Sequence, residues 1–109
     1  MLKNIKHIVI FITVSSDDEA HRITKLLLEQ RKVACINIVS GVDSRFWWKG
    51  NIDSARESLL VIKTRASVFQ KVMELVKTIH SYEVPEIIAL PIIDGNSDYL
   101  KWIDAEVKE

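Results

Sequence analysis

The chain has 109 residues, with 15 Lys plus Arg against 15 Asp plus Glu and a formal net charge of zero. That length suits one domain, residues 1–109, with a modest core. The charge balance lacks the basic excess of a nucleic-acid-binding domain, so no nucleic-acid partner is expected.

At 48% hydrophobic and 28% charged residues the composition is globular rather than disordered. Cys35 is the only cysteine, which excludes an intramolecular disulfide and any CxxC motif. Met1 to His7 precede a short apolar run, Ile8 to Ile12. That run is shorter than the about 7–15 residues of a signal peptide or the about 20 of a membrane helix. The chain is therefore read as cytoplasmic, without a membrane partner.

His7 to Val14, β-branched and aromatic, predicts a first strand. Ser16 and Glu19 then match a capping box, in which the serine accepts from the Glu19 amide and the glutamate reaches back. Ala20, Ile23 and Leu27 recur at helical spacing and carry this helix to about Gln30. Val33 to Val39 predicts a second strand. Ser40-Gly41-Val42-Asp43 interrupts it as a bulge or short loop, and it resumes from Ser44 to Trp48. Gly50-Asn51 supplies a tight turn into a third strand, Asp53 to Thr64, completing a long hairpin.

Ser67 with Gln70 repeats the capping pattern ahead of a helix striped by Val68, Val72, Val76 and Ile79. Glu86 to Ile92, bracketed by Pro85 and Pro91, predicts a fourth strand of the kind found at a sheet edge. Asn96-Ser97-Asp98 opens a short final helix carrying Tyr99, Trp102 and Ile103.

The order βαββαβ plus a C-terminal helix predicts an α+β, ferredoxin-like sandwich with both main helices on one sheet face. Ile8-Val9-Ile10-Phe11-Ile12, Leu59-Leu60-Val61-Ile62 and Ile87-Ile88-Ala89-Leu90 are apolar at consecutive positions. Alternate residues of a strand face opposite sides, so both sheet faces favour burial. Two helices cover one face, and a further copy of the chain is the expected cover for the other.

Several side chains carry both a packing and a chemical reading. Cys35 reads as inert packing or, beside a histidine or a helix N-terminus, as a nucleophile. His80, closing the second helix, reads as a dipole partner or as a metal or proton site. His7 and His21 lack the paired spacing of zinc sites and are read as solvated. Glu57 and Lys63 share one strand face about 20 Å apart. They read as a solvated glutamate and a snorkelling lysine, or as parts of a site assembled across subunits.

Pairing across the hairpin sets Cys35 opposite about Lys63 to Arg65, far from Glu57. Phe46-Trp47-Trp48 reads as hairpin packing, an oligomer contact or a stacking platform. Tyr82-Glu83-Val84-Pro85-Glu86 forms a semi-rigid loop of the kind on which sites are built. The three glycines fall in turns, and no GxGxxG, Walker, GxSxG or HExxH motif occurs, so the signal for catalysis is weak and no organic cofactor is expected.

Together the stretches Ala34-Cys35-Ile36-Asn37-Ile38-Val39, Phe46-Trp47-Trp48-Lys49-Gly50, Ile62-Lys63-Thr64, His80-Ser81-Tyr82-Glu83-Val84-Pro85-Glu86-Ile87 and Asp98-Tyr99-Leu100-Lys101-Trp102 resemble the CutA divalent-cation-tolerance family across essentially the whole chain. The resemblance implies a tight homotrimer and a role in tolerance of divalent metals, copper above all. It also implies inter-subunit clefts similar to those of PII-type signalling proteins. The family's metal ligands would fall on Cys35, Glu57 and His80, and its cleft residues on Trp48, Lys63, Tyr82 and Glu86.

Ser40, Phe46 and Ser81 stand where the family usually has proline, tyrosine and proline. This chain also lacks the additional cysteines of many bacterial members, which thins a soft copper(I) site. Three functions follow as expectations. The first is a trimeric binding or signalling module for a divalent metal or small anion, the second a trimeric scaffold for a protein partner, and the third an enzyme using Cys35 and His80.

Overall fold

In the computed structural model, which describes residues 4–109, strand β1 (His7–Val14) buries every second side chain. Ile8, Ile10, Ile12 and Val14 face the helices, and Val9, Phe11 and Thr13 face the other way, half-buried. Met1 to Lys3 lie outside the described residues.

β3 (Asn51–Arg65) pairs antiparallel with β1, setting Ile10 opposite Ile62 and Ile12 opposite Leu60. β2 (Cys35–Trp48) lies outside β3 and β4 (Ile87–Pro91) outside β1, giving the antiparallel order β2-β3-β1-β4. This is the expected ferredoxin-like order, with proline-ended β4 at an edge.

Helix α1 (Asp17–Glu29) buries the expected stripe of Ala20, Ile23 and Leu27, and α2 (Phe69–Ile79) buries Val72 and Val76. All five join the inward residues of β1 and β3 in one core, so both helices lie on the same sheet face. Ile79, expected in the stripe, is exposed. Helix α3 (Ser97–Glu106) contributes Ile103 to the same core. It also brings Asp104 to within 2.8 Å of His7 Nε2, so His7 is a partnered side chain, 12% exposed, and not the solvated one expected.

Two local expectations are corrected. Ser67 does not cap α2: residues Ala66–Val68 form a 3-10 turn, α2 starts after Val68 without a side-chain cap, and the Ser67 hydroxyl donates to Glu109 instead. The hairpin turn is also one residue earlier than Gly50-Asn51. Trp48 pairs with Asn51, and Lys49 and Gly50 both take positive φ, +50° and +81°, as a type I′ turn requires.

The interruption in β2 is a bulge. Val39 pairs with Leu59 and Val42 with Glu57, so Ser40 and Gly41 together stand opposite Ser58, with Gly41 at φ +70°. Ser40 Oγ and Ser58 Oγ both donate to Asp17 Oδ1, which pins the bulge to the first turn of α1. Beyond it the hairpin runs on past the end of β1 as a two-stranded arm.

The capping box forms halfway. Ser16 Oγ accepts from Glu19 N–H at 3.1 Å, as expected. The Glu19 carboxylate, only 1% exposed, accepts instead from Ser15 and from Ser81 beyond α2. Burial pushes this carboxyl up, but the donors (Ser81 N–H, Ser15 N–H and both serine hydroxyls) outweigh it and hold the group at about 2.

Two predictions follow. A carboxyl held below its unfolded value adds stability that is complete above pH ~4.5 and falls away toward pH 2. Urea unfolding at fixed protein concentration should show the wild type losing about 2 kcal/mol between pH 6 and pH 3 relative to Glu19→Gln. Lys49→Asn, which relieves a left-handed lysine, should raise stability by about 0.5–1 kcal/mol in the same assay.

Candidate functional site

Residues directly opposite one another in an antiparallel pair share a sheet face. Because of the bulge, Val42, Ser44, Phe46 and Trp48 stand on the same face as Ala55 and Glu57, the face bare of helices. Without the extra residue, the two aromatic rings would point away from Glu57.

The arm then walls one side of a groove of about 840 Å³. Its lining includes Phe46, Trp48, Asp53 and Glu57 from the hairpin and Ser81, Tyr82, Glu83 and Glu86 from the loop that joins α2 to β4. Thr13, at the end of β1, forms part of the floor.

The loop is held residue by residue. His80 Nε2 lies 2.9 Å from Thr13 O, and Nδ1 lies 3.0 Å from the Tyr82 backbone N. A carbonyl only accepts and an amide only donates, so the ring proton is on Nε2 and Nδ1 is the acceptor. The Tyr82 hydroxyl reaches across the groove and donates to Glu57 Oε2 at 2.6 Å. Burial first, then the bond to Glu57 and the charges of Glu57 and Glu19, push this phenol up to about 12, so it stays a donor. Glu57 is thus buried and partnered, not the solvated glutamate of the packing reading.

Of the expected cleft residues, Trp48, Tyr82 and Glu86 line the groove, and Lys63 does not. Lys63 stands opposite Cys35, within the Lys63 to Arg65 range that the hairpin reading expected, and donates to Asn37 Oδ1. Of the expected metal ligands, Glu57 lines the groove and His80 is packed behind it with both ring nitrogens engaged. Cys35 is at the far end of the hairpin, beside Tyr99, whose hydroxyl is pushed up by burial and by the thiol.

Among the described residues no three His, Cys, Asp or Glu side chains converge to hold a metal ion. Cys35, Glu57 and His80 therefore do not form a site within one chain.

Sequence reasoning missed Asp53 and Glu83 in the lining and the role of Glu19 behind it. Hairpin register would have placed Asp53 opposite Phe46 had the turn been centred one residue earlier. The Glu19–Ser81 contact spans 62 residues and leaves no local signal.

A family model described as CutA1 divalent ion tolerance protein matches residues 8–106. The divalent-cation tolerance protein CutA of Thermus thermophilus is 47% identical over 95 residues, covering 87% of this chain and 92% of that protein. The chloroplastic CutA 1 of Oryza sativa is 41% identical over 102 residues, 94% of this chain, which spans only 58% of that longer protein. The crystal structure of CutA1 from Oryza sativa superposes with a TM-score of 0.93 at 40% identity, covering 96% of each chain. The match extends over both walls of the groove and the sheet that carries them, and the chain belongs to the CutA1 divalent ion tolerance family.

Proposed function

We propose that this protein takes up a divalent cation, copper(II) first among them, in the groove between the hairpin arm and the 80–86 loop, as a homotrimer rather than as an enzyme. The observation that supports this reading most is the acidity of the lining. Asp53, Glu57, Glu83 and Glu86 line the groove with Arg45 as the single cationic side chain in its lining, so the groove favours a cation over a small anion. Carboxylate oxygens suit hard or borderline cations. Glu57 and Glu86 are the proposed donors, with Trp48 and Tyr82 shaping the walls.

Among the described residues one chain supplies too few converging donors, which favours completion by a neighbouring copy. Cys35 shares the bare sheet face with Glu57 and is the donor we propose that copy contributes; Lys63, opposite Cys35 on that face, is an ammonium without a lone pair and is not a ligand for a cation. His80 would join as a ligand only by releasing Thr13 or Tyr82. Apolar side chains on that face, Val39, Ile88 and Leu90, are exposed in the single chain, which favours a cover of the same kind.

A scaffold reading has one observation of its own. Trp47 and Ile52 stand opposite each other near the arm tip, 72% and 71% exposed, facing away from the groove. A protein partner docking there would leave the groove free.

Sedimentation equilibrium should return three times the 12.5 kDa chain mass, and a monomer would remove the neighbouring copy from the site. Calorimetric titration of that species with copper(II) should give saturable binding of about one ion per chain, weakened about tenfold or more in Glu86→Gln. Binding unchanged by both Glu86→Gln and Glu57→Gln would remove the groove as the site.

A further inference from the structure

Glu19 is buried behind the groove and does not line it, yet its hydrogen bonds lead to the wall. Oε1 accepts from Ser15 N at 2.9 Å, Ser15 Oγ at 2.8 Å and Ser81 Oγ at 2.9 Å, and Oε2 accepts from Ser81 N at 2.6 Å. All four donors come from two serines, one ending β1 and one beginning the loop. A buried carboxylate with this donor set is far stronger as an acceptor than a neutral oxygen, and its four acceptor positions are filled by the four donors.

The residue after Ser81 is Tyr82, whose amide is bound by His80 and whose hydroxyl meets Glu57. Residues 80–86 carry no helix or strand pairing, and Val84 is 81% exposed. A seven-residue span without a ladder is held only where its own groups are bound. We propose that Glu19 is a positioning residue of the groove: it clasps Ser81 to Ser15 and so fixes the loop that presents Tyr82 and Glu86. It acts through Ser81 and touches no ligand. The clasp stands on its hydrogen bonds, and its effect on binding rests on the groove being the binding site.

Ser81→Pro removes the N–H and the hydroxyl together. His80 is at φ −72°, ψ 136°, the conformation that a following proline favours, so the change acts on the donors and spares the preceding backbone. Ser81→Thr keeps both donors.

The test follows backbone amide exchange in the native oligomer alongside copper(II) titration of the same preparations. Glu19→Gln and Ser81→Pro should each speed exchange at the Tyr82 amide, the bonded N–H of the span that both variants keep, by about tenfold or more, with β1 and β3 at wild-type rates. Copper(II) binding should weaken by about tenfold, and Ser81→Thr should restore wild-type exchange and affinity.

Exchange at the Tyr82 amide unchanged in both variants overturns the proposal. An equal rise in β1 and β3 also overturns it, because Glu19 would then only stabilise the whole fold. If Glu19→Gln does not fold, Ser81→Pro and Ser81→Thr carry the comparison alone. Faster loop exchange in a protein whose wild type binds no copper(II) supports the clasp and defeats the binding reading, so the two fail separately.

Discussion

Gly41 lets two residues of β2 stand where the ladder has room for one, and the geometry of the groove follows from that single insertion. A strand alternates its faces with a period of two, so one extra residue exchanges the faces of everything after it. Here the exchange carries Phe46 and Trp48 onto the side of Glu57, where the loop after α2 can meet them. The conformation at φ +70° is open to glycine at little cost and is unfavourable for most other residues. The bulge is also tied down, because both Ser40 and the residue facing it, Ser58, donate to Asp17.

The opposite wall depends on electrostatics rather than on backbone geometry. A carboxylate with almost no solvent contact is tolerated only when its lone pairs are filled, and Glu19 fills them from Ser15 and Ser81. The donors are two amides and two hydroxyls, so the site holds a net negative charge without a cation. That charge also reaches Tyr82 and helps keep its hydroxyl protonated, which preserves the bond to Glu57. One buried group thus anchors the loop and biases the phenol at its tip.

How much of this was legible in the sequence depended on how local the determining contact is. Strand and helix order could be read because Ile8 to Ile12 and the Ala20, Ile23, Leu27 stripe state their periods within a few residues. The pairing of Cys35 with Lys63 followed from the hairpin and needed no tertiary knowledge. The turn was misplaced because a lysine at φ +50° carries no turn signal, whereas Gly50-Asn51 does. Ser67 looked like a cap because its spacing to Gln70 fits, but Glu109, from the other end of the chain, engages its hydroxyl. Trp48, Tyr82 and Glu86, which the family resemblance named for a cleft between subunits, line the groove of the single chain. Lys63, named for the same inter-subunit cleft, stands away from the groove within one chain, since it shares a strand with Glu57 and a strand does not fold back within six residues.

The two-stranded arm has a mechanical consequence. β1 ends opposite Ser58, so among the described residues the hairpin has no third strand beside it from Val42 and Glu57 outward. An isolated pair of strands has little core to stiffen it. The arm is a cantilever, rooted firmly where Asp17 grips the bulge and increasingly compliant toward Lys49. The groove therefore has one wall moored to the core through Glu19 and one wall stiffened only by its own two-stranded ladder.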